Sequence, residues 1–404
     1  MYKIRTLNNN LRLISVPRNS MRSASIIFCV GAGSSDENET VSGVAHFIEH
    51  VSFRGTSSRD MVSIKKPIEE VGGTLNAFTG NNLTIYYAKV PSTEVMTAVE
   101  ILSDIVFKPL FNEADIEKEK DVIYEEISMY EDDPVDNVFE NLFRNIYNPE
   151  FARPIIGNRK NVENFDKSII TGFYNKFYKP SNVTVVLTGS YEEDKIADYL
   201  SLFEGKENFI SDMKSPQLKN KNIIVEKTKK DLSQHYIVNA FKAPSRSDEG
   251  YYPSLVLNTL LGSGMSSLLF NRIREEKSLV YEVTSEYNAY KKSGVFLVFA
   301  ATSGDKLTKY NNELENVLKS FYSDKDAEQW FNYGKKRLIG KLTIDIESNV
   351  SLGMNILDLY LNNKEPITID DVIKNIESVT LSQVLRAAGD IFEGNKYVSV
   401  LKPE

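Results

Sequence analysis

Cysteine and histidine are both scarce in this sequence, whose 404 residues include a single cysteine and three histidines. One cysteine cannot form a disulfide within the chain, which excludes a disulfide-stabilised secreted scaffold and favours a reducing compartment. That residue, Cys29, lies in the apolar run ASIIFCVGAG. We expect it to be a small buried side chain in a strand.

Long apolar runs and an excess of positive charge are also lacking. No stretch approaches the ~20 apolar residues that a membrane-spanning helix needs, and residues 1–17 have no apolar segment or cleavage site of a secretory signal. A net charge of −8 does not fit a general nucleic-acid-binding protein, which normally has a basic face. We expect a cytoplasmic protein without nucleic-acid or membrane partners, or an organelle-matrix protein if a transit peptide was removed.

The pattern of strands and helices in the first half of the chain recurs in the second half. The first half is predicted to contain a strand in SASIIFCVGAG, a hairpin in TLNAFT and LTIYYAKV, helices at 93–107, 113–131 and 135–147, and a strand in SNVTVVLTGSY. The second half has strands in NIIVEKT and QHYIVNAFKAP, a hairpin in LVYEVTSEYNAYKKSGVFLVFAATS, helices at 306–320 and 325–346, and a last strand in KYVSVLKP. Such a repeat indicates two units of like topology.

The expected fold class is therefore α+β, with two tandem domains of similar topology, each a mainly antiparallel sheet covered by helices. A chain of 404 residues suits two domains. The polar segment 204–222 lacks periodicity and is interpreted as the linker. This gives domain ranges of 1–207 and 220–404, the first of which contains the metal motif described next.

Two of the three histidines lie in one short segment, VAHFIEHVSFRGT. On a helix His46 and His50 would lie on one face with Glu49 beside them. Two imidazoles at this spacing can bind one transition metal, and H-x-x-E-H is the inverzincin pattern, in which the glutamate is the general base. Two histidines of an ordinary helix, without a metal, would show the same sequence pattern. The apolar residues around the motif favour the metal site, because buried polar groups need partners.

A catalytic zinc needs a third protein ligand, and the helix predicted at 113–131 offers candidates. Its apolar stripe is formed by Ile116, Val122, Ile123, Ile127 and Tyr130. At roughly 100° per residue, two glutamates, Glu119 and Glu126, fall inside this stripe. A carboxylate on a core-facing stripe is costly unless it is paired or bound to metal. One of the two should be the ligand and the other its supporting carboxylate.

The sequence resembles the family of pitrilysin, insulin-degrading enzyme and mitochondrial processing peptidase. The resemblance lies in three segments and in their order and spacing: HFIEHVSFRGT, GTLNAFT and EKEKDVIYEEISMYEDDP. The length and two-domain layout are similar to its processing-peptidase-like branch, and the resemblance covers essentially the whole chain. It implies one Zn²⁺ per chain with three ligands, His46, His50 and Glu126. It also implies that Glu49 is the general base and that Glu119 is the supporting carboxylate.

The same resemblance implies residues that bind a peptide substrate. The segment NAFT matches a substrate-binding edge strand formed by Asn76, Ala77, Phe78 and Thr79; an open edge can pair with an extended peptide, although the pattern also fits an interior strand. Arg274 and Tyr281 match a pair that holds the substrate backbone, the tyrosine helping to stabilise the oxyanion. Gly262 and Gly264 match a glycine-rich loop near the substrate, although a helix end and turn would give the same pattern.

These features together predict a zinc metalloendopeptidase that hydrolyses unfolded peptides in a closed chamber. In the two-chain branch of the family that this sequence resembles, the arginine–tyrosine element faces the zinc of the partner chain. Because this chain carries both that pair and the metal motif, the resemblance implies a homodimer, in which Arg274 and Tyr281 act on the opposite subunit. One alternative is a catalytic subunit that needs a different partner chain. Another is a non-catalytic core-like assembly or partner subunit, against which the intact set of metal-binding residues argues. A further alternative is a peptide-binding subunit that captures peptides without cutting them.

Overall fold

The computed structural model describes residues 2–205, 208–321, 325–363 and 366–404. The first sheet is formed by Lys3–Thr6 (β1), Arg12–Pro17 (β2), Ser23–Val30 (β3), Thr74–Thr79 (β4), Thr84–Pro91 (β5) and Val183–Gly189 (β6). Its strand order is β1-β2-β6-β3-β5-β4, so β4 lies at an edge. The segment NAFT therefore belongs to an edge strand, one of the two positions that its pattern allowed.

The second sheet repeats this arrangement. It is formed by Ile223–Lys229 (β7), His235–Ala243 (β8), Glu282–Ala289 (β9), Gly294–Thr302 (β10) and Lys396–Pro403 (β11), in the order β7-β11-β8-β10-β9. This order matches β2-β6-β3-β5-β4 strand for strand, and in each sheet one pair is parallel, β2 with β6 and β11 with β7. The α+β class and the similar topology of the two halves are confirmed.

The helices, in chain order, are Val44–Ser52 (α1), Met61–Glu70 (α2), Val95–Phe107 (α3), Glu113–Asp132 (α4), Pro134–Ile146 (α5), Pro149–Ala152 (α6), Arg159–Glu163 (α7), Lys167–Phe177 (α8), Glu193–Leu200 (α9), Tyr251–Gly262 (α10), Leu307–Ser320 (α11), Ala327–Asp345 (α12), Asn349–Asn362 (α13), Ile369–Ser378 (α14) and Leu381–Phe392 (α15). A π-helical turn covers Phe270–Glu276. The five helices whose ranges are given above are found within two residues of their expected ends. None of the helices in the described ranges is long and apolar enough to cross a membrane.

The chain forms two compact units, each discontinuous in sequence. The first comprises Met1–Met129, Arg153–Lys214 and Asp345–Thr368, and the second comprises Tyr130–Ala152, Ser215–Ile344 and Ile369–Glu404. The ranges 1–207 and 220–404 rest on the repeat of sequence pattern and stay a prediction; residue 207 lies outside the described residues. Within each unit, a helix remote in sequence covers one face of the sheet.

In the first unit, α13 packs against β3 and β6. Gly353 permits the close approach, because a Cβ atom there would lie 2.6 Å from Cδ1 of Ile27. Asn349 donates to the backbone oxygen of Ser23 at 3.0 Å, and its own backbone oxygen accepts from Thr188 at 2.7 Å. In the second unit, α5 similarly packs on β8 and β11, where Asn141 donates to Ser399 at 3.1 Å.

The core of the first unit lies between its sheet and the helices on the other face, α1 and α3 among them. Cys29 is buried in β3, as expected, and burial raises the pKa of its thiol to about 12. On α4, however, the predicted apolar stripe is wrong at two positions, because Val122 is 43% exposed and Tyr130 is 44% exposed. The buried face of that helix follows Ile116, Glu119, Ile123 and Ile127, and Val122 lies roughly 100° around the helix from Ile123.

Candidate metal centre

The helix α1 begins at a backbone position that suits glycine. Gly43, just before the helix, has φ of +98°, a conformation that other residues rarely adopt. The buried carboxylate of Glu37 accepts hydrogen bonds from the backbone N–H groups of Gly43 and Ala45, both at 2.8 Å. These donors would otherwise lack partners at a helix N-terminus. Glu37 therefore fixes where α1 starts, immediately before the first histidine of the motif.

One face of α1 is fully buried and formed by apolar residues, namely Val44, Ala45, Phe47, Ile48 and Val51. The side chains of His46 and His50 lie together beside this face, with ring centroids 4.5 Å apart. They are 12% and 23% exposed, so they are accessible to a small ion but largely out of water. The helical spacing predicted from sequence thus places the two imidazoles as neighbours.

Glu126 of α4 faces both imidazoles. Its Oε1 lies 3.7 Å from Nε2 of His46, and its Oε2 lies 3.5 Å from Nε2 of His50. Each of the three residues offers one ligand atom, and these atoms all lie within 4.8 Å of one another. Two imidazoles and one carboxylate are a ligand set that zinc accepts at catalytic sites.

Glu119, the other glutamate of the buried face, makes a different contact. Its Oε1 lies 2.9 Å from Nδ1 of His50, on the side of the ring away from Glu126. An ionised carboxylate only accepts, so Nδ1 is the donor, and in the neutral imidazole Nε2 then keeps its lone pair for a metal. The two glutamates thus differ in position: Glu126 lies beside both Nε2 atoms, and Glu119 lies behind one ring.

The residues present fit a divalent metal ion. Oε2 of Glu126 is buried and has no hydrogen-bond partner among the described residues, although it faces an imidazole nitrogen. A buried carboxylate oxygen without a donor is costly, and a cation at this position would satisfy it. Burial, and then the neighbouring His50, lower the pKa of His46 to about 3. His46 is therefore neutral at pH 7, which is the form that binds metals.

Glu49 lies next to the metal-binding cluster and contacts the edge strand. It is buried on α1, and its Oε2 accepts a hydrogen bond from Oγ1 of Thr79 at 2.6 Å. Burial raises the pKa of Glu49, and the hydrogen bond from Thr79 partly opposes this shift. Such a carboxylate is a stronger base than an exposed one, which suits proton transfer near neutral pH.

The other residues of β4 lie on alternate sides of the strand. Ala77 and Leu75 point with Thr79 towards the helix-covered side and pack on the core, whereas Phe78 is 44% exposed on the opposite side. Oδ1 of Asn76 accepts from the backbone N–H of Ala77 at 2.8 Å. Because β4 pairs with β5 alone, its other backbone edge is open among the described residues.

The predicted binding residues of the second half also lie together, in the second unit. Gly262, Gly264, Arg274 and Tyr281 line one cavity of about 320 Å³, with Met265 and Phe270. The guanidinium of Arg274 lies 4.4 Å from the ring centroid of Phe270 and 6.0 Å from that of Tyr281. The glycine pair and the arginine–tyrosine pair thus line the same cavity, and Tyr281 is 71% exposed at this surface.

Each of the two glycines also has a structural reason to be glycine. A Cβ atom at Gly262 would lie 2.2 Å from the backbone nitrogen of Ser285, so close packing of α10 on β9 requires a glycine there. Gly264 has φ of +95° in the turn that follows. Packing and turn geometry therefore account for both residues, whether or not they also contact a substrate.

Sequence reasoning overlooked Arg54 and Glu37, two charged residues near the metal-binding cluster. Arg54 donates from Nε to Oε2 of Glu119. The sequence offered only a weak signal for Arg54, its position four residues after His50, because α1 ends at Ser52 and Arg54 lies in the turn that follows. Glu37 had no such signal, since it reaches α1 from a preceding loop.

The first unit thus carries a cluster of two histidines and one glutamate on two helices that could hold a metal ion, and the topology of its sheet is repeated in the second unit. The family model of insulinase, peptidase family M16, matches residues 12–159, and the model of the peptidase M16 inactive domain matches residues 164–338. The chain belongs to this family of peptidases. The three-residue cluster falls in the first match, and the described residues of the second match hold no comparable group.

Relatives and solved structures agree with this assignment. The uncharacterized zinc protease YmxG of Bacillus subtilis is 30% identical, in an alignment that covers 100% of this chain and 98% of that protein. An uncharacterized zinc protease of Mycobacterium leprae is 31% identical, with 98% and 91% covered. The crystal structure of a protease from Helicobacter pylori has the same fold, with a TM-score of 0.92, 20% identity and full coverage of both chains. The names of the relatives support a peptidase.

Proposed function

We propose that this chain is a zinc metalloendopeptidase that hydrolyses unfolded peptides. The observation that carries the proposal is the position of Glu49, a buried carboxylate beside a three-donor cluster and hydrogen-bonded to the edge strand β4. A base, a metal-binding cluster and an open strand edge are the three parts that such a hydrolysis needs. The names of the related zinc proteases favour zinc. We propose one ion per chain, because the described residues hold one cluster of three possible ligands.

In the proposed site His46, His50 and Glu126 would hold the zinc ion. When bound, zinc supplies Lewis-acid polarisation of a carbonyl oxygen and makes a water molecule more acidic. Glu49 accepts a proton from the attacking water and passes it to the leaving amine. Thr79 holds the carboxylate of Glu49 in place during this transfer, and Glu119 holds the ring of His50.

The proposed substrate is an extended peptide that pairs with the open edge of β4 through backbone hydrogen bonds. Asn76, Ala77, Phe78 and Thr79 would form this contact, which gives affinity with little sequence preference. We propose that Arg274 and Tyr281 bind the substrate backbone as well, with Gly262 and Gly264 close to it. The exposed phenol of Tyr281 would donate to the developing oxyanion. Both contacts, with β4 and with Arg274 and Tyr281, require an extended peptide. They therefore favour unfolded substrates over folded ones.

The proposed assembly is a homodimer that encloses the sites in a chamber, with Arg274 and Tyr281 acting on the opposite subunit. The presence of both the metal-binding cluster and the arginine–tyrosine cavity in one chain supports it. A heterodimer with a different partner chain is the competing arrangement. Gel filtration with activity assays of the isolated chain separates them, because a homodimer is active alone and a lone catalytic subunit is not.

The proposed function is tested by metal analysis combined with peptide cleavage. The purified chain is assayed on a mixed pool of quenched fluorescent peptides before chelation, after chelation and after zinc is restored. We expect about one zinc per chain, with cleavage that chelation abolishes and zinc restores. Bound zinc without cleavage would point to a missing partner or to a peptide-binding role. A chain without zinc would contradict the proposed metal centre.

A further inference from the structure

Three side chains form a line of contacts that leads away from the metal-binding cluster. Nδ1 of His50 donates to Oε1 of Glu119 at 2.9 Å, and Oε2 of the same carboxylate accepts from Nε of Arg54. The resemblance to known peptidases covers the first contact but not the second. Arg54 touches neither the cluster nor, in the proposed reaction, the substrate, so any effect on the metal has to pass through Glu119.

Glu119 depends on Arg54 because it is buried. The side chain of Glu119 is 5% exposed, and each of its oxygens has one donor among the described residues. A buried carboxylate that loses a charged partner becomes strongly unfavourable or turns to another contact. Bound to Arg54 through Oε2, Glu119 has its Oε1 directed at His50. The guanidinium therefore holds the carboxylate in one orientation, with its other oxygen against the ring.

The backbone holds Arg54 in position for this contact. Its N–H donates to the backbone oxygen of Val51 at 3.0 Å, where the chain leaves α1. The loop that follows closes on itself through a bridge between Gly55 and Asp60. The side chain of Arg54 is 25% exposed, and its Nη1 lies 3.9 Å from Sδ of Met61. The side chain is thus fixed at both ends, which is how outer residues orient metal ligands.

We propose that Arg54 is a positioning residue that strengthens zinc binding by holding Glu119 against His50. This inference rests on the proposed zinc site, but not on peptide hydrolysis. Residues that orient metal ligands typically change metal affinity by 10–100-fold when they are removed. Arg54 acts one contact further out than Glu119, so we expect the lower end of this range.

The experiment measures zinc affinity of the full chain, prepared metal-free, by competition with a chromogenic chelator at one pH. Arg54→Met removes every donor and keeps the apolar stem. We expect it to raise the zinc dissociation constant about 10-fold, and we expect Arg54→Lys, which restores a cationic donor, to recover most of this loss. The matched control is Arg59→Met, because Arg59 has a similar exposure and pairs with the buried Asp104 instead of Glu119.

Measuring Arg54→Met in a second variant, Glu119→Gln, separates positioning of Glu119 from a general structural effect on zinc affinity. In Glu119→Gln, the path from Arg54 to His50 is already broken, so adding Arg54→Met should change the dissociation constant by less than about 2-fold. The inference is overturned if Arg54→Met binds zinc like the wild type. It is also overturned if the loss is equal in the Glu119→Gln background, or if Arg59→Met weakens zinc as much. Absence of zinc from the wild type would remove the metal centre itself, whereas zinc binding without peptide cleavage would leave this inference standing.

Discussion

Oγ1 of Thr79 donates a 2.6 Å hydrogen bond to Oε2 of Glu49, which connects the edge strand β4 to α1, the helix that carries the two clustered histidines. Thr79 is the last residue of β4, and Glu49 lies between the two histidines of α1. The residue proposed as base and the strand proposed to bind the substrate are therefore fixed relative to each other. Such a contact keeps the base at a set distance from a peptide paired with the strand.

Replacing Thr79 with valine should lower catalysis without loss of zinc. The change keeps the shape of the side chain and removes a hydrogen bond to a charged group, which is worth roughly 1.5–3 kcal/mol. We expect kcat/KM to fall about 10–100-fold, and Thr79→Ser to retain most activity. Thr74→Val is the control, because Thr74 is exposed on the same strand. Equal losses in Thr79→Val and Thr74→Val would contradict the special role of Thr79.

The same variant should change the pH dependence of catalysis. Burial raises the pKa of Glu49, and the hydrogen bond from Thr79 lowers it. Without that bond the pKa rises further, and a general base has to be deprotonated to act. The acid limb of the kcat/KM profile of Thr79→Val should therefore move to higher pH than in the wild type. A shift to lower pH would show that Glu49 is not the group that titrates.

Glu49→Gln should retain the zinc ion and the fold but lose about 10²–10⁴-fold in activity, the contribution of a positioned base. The amide keeps the size of the side chain and its contact with Thr79. Zinc content, thermal stability and turnover are measured together. Glu125→Gln is the control, because Glu125 is exposed on α4. A Glu49→Gln variant that cleaves peptides at a rate near the wild type would disprove the proposed role of Glu49.

Zinc affinity should distinguish Glu126 from Glu119. Glu126→Ala removes a proposed ligand and should leave the purified chain with little zinc, as should loss of His50. Glu119→Ala removes only the partner of Nδ1 and should weaken binding about 10–100-fold. Dissociation constants from chelator competition give the order. If Glu119→Ala lost zinc and Glu126→Ala kept it, the two roles assigned from geometry would be reversed.

Stability of the metal-binding helix should depend on Glu37. Glu37→Ala leaves two buried backbone N–H groups without acceptors, at roughly 1–3 kcal/mol each. We expect the free energy of unfolding, measured with denaturant on the metal-free chain, to fall by several kcal/mol. Glu39→Ala is the control, because Glu39 is exposed two residues away. Similar stabilities for the two variants would show that the bonds to Gly43 and Ala45 contribute little.

Local rules predicted most of the fold from the sequence. Hydrophobic periodicity located strands and helices to within a few residues, and their repeated order predicted two sheets of like topology. Hydrophobic periodicity could not predict which helix covers which sheet. The helix α5 follows the first-unit helix α4 but packs on the second sheet, and α13 packs on the first sheet from late in the chain. Such contacts depend on long-range packing, and the local pattern of apolar residues does not show which sheet a helix packs against.

For the candidate site, the sequence by itself determined the neighbours on one helix. Four residues advance a helix by slightly more than one turn, so His46 and His50 had to lie together once α1 formed. Only the tertiary structure decided which carboxylates complete the cluster. Glu119 and Glu126 share a helical face seven residues apart. Their proposed roles differ because the packing of α4 places Glu119 behind the ring of His50 and Glu126 before both imidazoles. The contacts from Thr79, Arg54 and Glu37 likewise join segments that meet only when the chain has folded.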